Sequence, residues 1–257
     1  MKWFLVALCI IWVNSLDLED NEGQLGDGLP ELYDGDMLLT PEQKLILSLD
    51  EKDLWRVSHR NLIYRWPDKT VPYVYGAGPI DGLTNDEKNK VRAAMRYIES
   101  KTCVKFRGRK GQRDHLIIAK GKPGCFANTG RTRFARVNLG EERCFKHGTI
   151  VHELLHILGF AHSHQAPNRD DYVDIKWENM NKSTKFPFKK LPSKDWTMLD
   201  LPYDYASILH YSRKAFSING KDTIVPKEEG VEIGQRIRLS ELDIKRVNKY
   251  YKCPEQK

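Results

Sequence analysis

What this chain of 257 residues lacks narrows it quickly. Beyond the N-terminus no stretch approaches the ~18 apolar residues needed to cross a bilayer, so no membrane anchor is expected. The one apolar run, Trp3 to Val13, is too short to span. With Lys2 ahead of it and small Ser15 behind, residues 1–15 are predicted to be a signal peptide and the product to be secreted and extracellular. Cysteine is scarce. Cys9 falls in the leader, and Cys103, Cys125, Cys144 and Cys253 remain. An even set in an exported chain predicts two disulfides, with three possible pairings. There is no internal repeat, no low-complexity domain and no nucleic-acid-binding motif, so nucleic acid is not an expected partner. Residues 16–36 hold eight acidic side chains and no Lys or Arg, yet the chain has a net charge of +7. The positive charge therefore sits in the body after residue 60. An acidic leader before a basic body fits a pro-segment, residues 16–60, held against the single domain of residues 61–257.

The densest feature present is residues 152–162, His-Glu-Leu-Leu-His-Ile-Leu-Gly-Phe-Ala-His. His152 and His156, four apart, would lie ~40° apart on one helix face. There both imidazoles could reach one zinc ion at ~2.0–2.1 Å. Glu153 can lie beside that ion without binding it, the position of a general base acting on water. On a continued helix His162 would sit ~120° around from His156 and ~9 Å further along. Gly159 can take a positive φ, end the helix and bring His162 back to the metal. Three histidines leave a position open for water, the catalytic rather than the structural zinc pattern, and no thiolate is nearby. One Zn2+ per chain is the expected cofactor.

The remaining pattern is α+β. Thr40-Pro41 opens a short helix in the leader. Residues 71–75 read as a strand. Thr84 or Asn85 caps an amphipathic helix to about Ser100, with Val91, Ala94, Met95 and Ile98 buried. Cys103 to Phe106, His115 to Ala119 and Arg136 to Leu139 are predicted strands, His115 being a packing or strand-surface residue. Thr149 is the expected cap of the metal helix, residues 149–159, with Ile150, Leu154, Leu155 and Leu158 facing the core. Ser240 and Asp243 form a capping box for a final helix held by Leu242, Ile244, Val247 and Tyr251. Asn181-Lys182-Ser183 is an N-glycosylation acceptor.

The long histidine motif, followed by Ser207-Ile208-Leu209-His210-Tyr211, resembles the astacin family of zinc endopeptidases within the metzincins. Tyr33-Asp34-Gly35-Asp36 is similar to the family's pro-segment F-x-G-D element, and Arg60-Asn61 to its maturation boundary. The resemblance implies a two-lobed zincin fold. A twisted mixed sheet, mostly antiparallel at its edge, would form the N-terminal lobe with helices. An irregular C-terminal lobe would end in a helix. It implies zinc on His152, His156 and His162, Glu153 as proton carrier, Tyr211 as a displaceable fifth ligand and oxyanion donor, and Asp36 as the zymogen's zinc ligand. Disulfides Cys103–Cys253 and Cys125–Cys144 follow from it, as does a monomer that cuts protein or peptide substrates lying extended along an edge strand. A trypsin-like protease acting at Arg60 would activate it.

Three departures stand out. The family's Glu after the third histidine is Ser163, which cannot make an ionic contact to a new N-terminus. Its later Arg and Asp are Ala166 and Asn168, while Arg169-Asp170 match. The methionine beneath the histidines is Leu209, a swap of similar volume that costs under ~1.5 kcal/mol. These departures motivate an alternative of another class: a secreted, zinc-containing binding protein with impaired catalysis. Retention of Glu153 and Tyr211 argues for the enzyme. Arg213 and Lys214, just past Tyr211, raise the expectation of acidic residues near the cut.

Overall fold

Six strands assemble one mixed sheet in the order β1-β5-β6-β4-β2-β3. They are β1 (Met37–Leu38), β2 (Thr70–Tyr75), β3 (Lys105–Gly108), β4 (His115–Ala119), β5 (Cys125–Asn128) and β6 (Phe134–Leu139). The structure, a computed structural model, describes residues 32–48, 64–181, 188–191 and 199–254. The predicted signal peptide, Arg60, and Lys182 and Ser183 of the glycosylation triplet lie outside them. Asn181 itself is exposed.

The sheet is parallel except for the β5–β6 pair. Its β5 side is not open. The leader's β1 runs alongside, pairing Met37 with Ala127 and Leu38 with Asn128. Neither β1 nor β5 was expected from the sequence, because two- and four-residue strands are too short to show alternation. The strand expected from Cys103 starts later, at Lys105. Thr102 and Val104 are held in the helix exit instead: Thr102 Oγ1 donates to Ile98 O at 2.9 Å and accepts from Val104 N at 3.3 Å.

Four helices matter for the site. The leader helix α1 (Pro41–Ser48) opens on a reciprocal cap. Thr40 N donates to Gln43 Oε1 at 2.7 Å and Gln43 N to Thr40 Oγ1 at 3.2 Å. Thr84 and Glu87 make the same box for α2 (Asn85–Lys101), whose Val91, Ala94, Met95 and Ile98 are buried as expected. The third helix, α3 (His147–Ile157), is buried along nearly its whole length. It corrects one expectation: Lys146, not Thr149, is the N-cap, without a side-chain bond, and Thr149 is an interior, buried residue. The reason is the 3-10 turn Glu142–Phe145, which feeds directly into the helix and is tied to β5 through Cys144. Finally α4 (Glu241–Tyr250) starts at the Ser240–Asp243 capping box.

Packing divides into three apolar clusters. The largest joins the sheet, α2 and α3 with Leu239, Val247 and Tyr251 near the C-terminus. Cys103–Cys253 fastens that end to the N-terminal lobe, and Cys125–Cys144 closes the loop before α3, as the resemblance implied. The second cluster fills the C-terminal lobe around Phe188, Tyr203, Tyr211 and Phe216, beside the antiparallel pair β7 (Val173–Ile175) and β8 (Ile224–Pro226). The third is small and joins the leader to the body: Tyr33 and Met37 against Ala161 and Leu191. Among the described residues no helix is long and apolar enough to cross a membrane.

Candidate metal centre

The metal helix ends as its sequence requires. Gly159 has φ +101°, a conformation that side chains rarely adopt. Gly159 N donates to His156 O at 2.8 Å and Phe160 N to Leu155 O at 3.2 Å, the paired bonds of a Schellman cap. The last carbonyls are also held from outside. Trp66 Nε1 donates to Ile157 O at 2.7 Å, and the Tyr251 hydroxyl to Leu158 O at 3.0 Å. The chain then doubles back and delivers His162.

Each imidazole is oriented by its Nδ1. His152 Nδ1 donates to Ile208 O and His156 Nδ1 to Phe160 O, both at 2.7 Å. His162 Nδ1 donates to an Asp34 carboxylate oxygen at 2.6 Å. A carbonyl or carboxylate oxygen can only accept, so each Nδ1 carries a proton, and in the neutral ring Nε2 presents a lone pair. The three Nε2 atoms converge: His152 lies 3.1 Å from His156 and 3.3 Å from His162. Ligands ~2.0–2.1 Å from a tetrahedral centre stand ~3.3 Å apart, so this donor set fits one zinc ion. Lone pairs facing at that spacing call for a positive charge between them, a metal ion or a proton.

Asp36 completes the group. Its carboxylate oxygens lie 3.0 Å from His152 Nε2, 3.2 Å from His162 Nε2 and 3.6 Å from His156 Nε2. All four side chains are buried and could ligate one ion. Their electrostatics agree. Burial pushes the metal-free His152 ring down to about 4 and His156 well below the imidazole range. At His162 burial is outweighed by Asp36 and Asp34, which lift the metal-free ring to about 10. Burial would raise Asp36, but His162, His152 and His156 hold it well below the carboxylate range. Two buried anionic carboxylates among these rings call for positive charge, which a proton on His162 or a bound metal ion supplies.

Glu153 is buried one residue past His152 on α3. Tyr211 is fully buried, its hydroxyl donating to the Asp34 backbone carbonyl. Its ring centroid lies 4.5 Å from that of His162. Gly35 makes this approach possible: with φ +78°, a Cβ there would meet both the Tyr211 hydroxyl and Phe216 Cζ at 3.0 Å. Leu209 is buried in the main core cluster, and its carbonyl accepts from Ser163 N at 3.0 Å. The buried Ser163 hydroxyl has no hydrogen-bond partner among the described residues. Ala166 joins the second cluster, and Arg169 binds the carbonyls of His164 and Phe188 at 3.0 and 2.5 Å. Arg213 donates to Val231 O at 2.8 Å and lies 3.7 Å from Asp222.

The sequence reading missed three members of this site. His164 is fully buried and stacks on Tyr211 at 4.1 Å, and burial lowers its pKa. Asp34 is fully buried against His162 and His164. Arg236 donates to His210 O at 2.9 Å and adds positive charge near His152. Only Asp34 gave a signal, as a second acid in a turn.

A family model described as Astacin, a peptidase family, matches residues 58–252. Zinc metalloproteinase nas-14 of Caenorhabditis elegans is 38% identical over 238 residues, covering 89% of this chain but 46% of that protein. Seminal metalloprotease 1 of Drosophila melanogaster is 40% identical over 205 residues, with 76% and 80% covered. The solved structure of high choriolytic enzyme 1, a hatching enzyme zinc-protease from Oryzias latipes, superposes with a TM-score of 0.67 at 36% identity. It covers 74% of this chain and 94% of that one.

Proposed function

The chain belongs to the astacin family of zinc metalloendopeptidases, and from that premise we propose that it is made as a secreted zymogen blocked by its own Asp36. In this reading residues 1–15 are the signal peptide, 16–60 the pro-segment and 61–257 the peptidase domain. The observation that carries it is the Asp36 carboxylate, set 3.0–3.6 Å from three converging imidazole nitrogens. A carboxylate on that ion takes the position water needs. The leader's β1 on the β5 edge supports the same reading, because it fills a sheet edge that an extended substrate would use.

His152, His156 and His162 would hold the zinc, which when bound supplies an activated water and polarises the scissile carbonyl. Glu153 takes the proton of the attacking water and later gives it to the leaving amine. Tyr211, released from the Asp34 carbonyl once the pro-segment is gone, turns its hydroxyl to the developing oxyanion. The binding-protein alternative has no use for either group.

Mass spectrometry of the secreted product, a zinc assay and a casein digest test the reading together. A new N-terminus at Asn61, one zinc per chain, and casein cleavage that appears only on processing and is lost in Glu153→Ala are expected. Zinc-loaded, processed protein that cuts no protein substrate would leave the binding-protein reading in its place.

A further inference from the structure

The turn that carries Asp36 makes contacts that blocking a metal does not require. Asp34, two residues earlier, is completely buried. One of its carboxylate oxygens accepts from His162 Nδ1 at 2.6 Å, on the ring edge opposite the one facing Asp36. The other lies 3.4 Å from His164 Nε2. Its backbone carbonyl accepts from the Tyr211 hydroxyl. One residue before, Tyr33 stands where the family pattern has Phe, and its added hydroxyl accepts from Gln165 Nε2 at 3.2 Å. His164 and Gln165 lie in the stretch that also holds Ser163 and Ala166. Departures from the family pattern on the leader therefore meet the segment that departs on the body.

We propose that Asp34 is a second inhibitory anchor, acting on the back of His162 and on Tyr211 while Asp36 acts on the metal face. This rests on the zymogen reading above and adds to it a lock that does not pass through the metal. A buried carboxylate bonded to an imidazole N–H is a charge-assisted contact, stronger than a neutral one. Tyr33–Gln165 and the β1–β5 pairing hold the same turn in place. The lock should therefore persist when zinc is removed, and in part when Asp36 is lost.

The test uses the full chain as wild type, Asp34→Gly, Asp34→Asn, Asp36→Asn and the Asp34→Gly/Asp36→Asn pair. Glycine accepts the φ of 53° at position 34, so Asp34→Gly removes the carboxylate without backbone strain. Each protein is stripped of zinc, nicked by trypsin, and followed by native mass spectrometry for retention of the pro-fragment. Wild type and Asp36→Asn should keep the fragment. Asp34→Gly should release it at least about ten-fold faster, with Asp34→Asn between, since an amide oxygen still accepts but carries no charge. In the zinc-loaded, unnicked chains, peptidase activity relative to the fully processed product should rise on Asp36→Asn and rise again, about ten-fold, in the pair. All variants yield one mature domain, so equal activity after complete processing certifies folding. Asp34→Gly holding its fragment as long as wild type, and adding nothing to Asp36→Asn, overturns the second anchor and leaves the Asp36 block standing. An unprocessed wild-type chain as active as its product overturns both.

Discussion

Asp243 accepts the Ser207 hydroxyl at 2.7 Å through one carboxylate oxygen and the Ile208 N–H at 2.9 Å through the other. The second oxygen also accepts from Ser240 N at 3.0 Å, inside the α4 capping box. One buried side chain thus starts the last helix and holds the turn whose Ile208 carbonyl orients His152. Asp243→Ala orphans three donors and should cost about 3–5 kcal/mol. Thermal unfolding with a zinc assay should show a lowered midpoint together with weaker metal retention, whereas Asp243→Asn loses less.

Glu153→Gln keeps the side-chain volume and removes the carboxylate proposed as the base. Turnover should fall by about 10²–10⁴-fold with zinc content unchanged. Tyr211→Phe keeps the ring on His164 and removes the hydroxyl. It should lower kcat by about 10²-fold and leave KM nearly constant. Steady-state kinetics on processed, metal-analysed protein separates these outcomes from loss of zinc.

The carboxyl of Asp204 is raised above the ordinary carboxylate range by burial and by neighbouring Asp243. A group raised on folding contributes stability that is complete below its unfolded pKa, ~3.9, and lost as pH rises through the folded value. At neutral pH its ionised form therefore weakens the fold. Asp204→Asn should raise the unfolding midpoint at pH 7, with the gain shrinking toward pH 4. No difference between the two pH values would contradict this sign.

The two disulfides close loops of very different length, 150 and 19 residues apart in sequence. By loop-closure entropy they contribute about 5 and about 3 kcal/mol. Replacing Cys103 and Cys253 by Ser should lower stability more than replacing Cys125 and Cys144, read as denaturant midpoints. The shorter bridge should weigh more on activity, since it braces the entry to α3.

Leu209→Met restores the methionine of the family pattern. The site is buried and the volumes are close, so the stability change should stay within about 1.5 kcal/mol and zinc content should not move. A large gain in activity would show that Leu209 is a functional lesion.

The histidine cluster was legible because His152, His156, Gly159 and His162 encode its geometry locally, in one helix and its cap. The capping boxes at Thr84 and Ser240 were legible for the same reason. Thr149 misled, because tertiary packing and the Cys144 bridge start α3 earlier than any side-chain cap would. The β1–β5 pairing joins residues about ninety positions apart through strands of two and four residues, and no local period announces it. His164 and Arg236 stayed hidden because their roles are defined by what folds against them. Arg213 follows Tyr211 in sequence, but the partners of its guanidinium, Val231 O and Asp222, are set by the fold.

The pairing of Met37 and Leu38 with Ala127 and Asn128 has a consequence outside catalysis. A strand with unpaired N–H and C=O groups invites another chain to add on, and short edges are commonly covered for that reason. Here β1 covers the β5 side from within and takes the place that another chain would use. Under the zymogen reading, removing β1 would open the margin to peptides and, in the same step, expose the molecule to self-association.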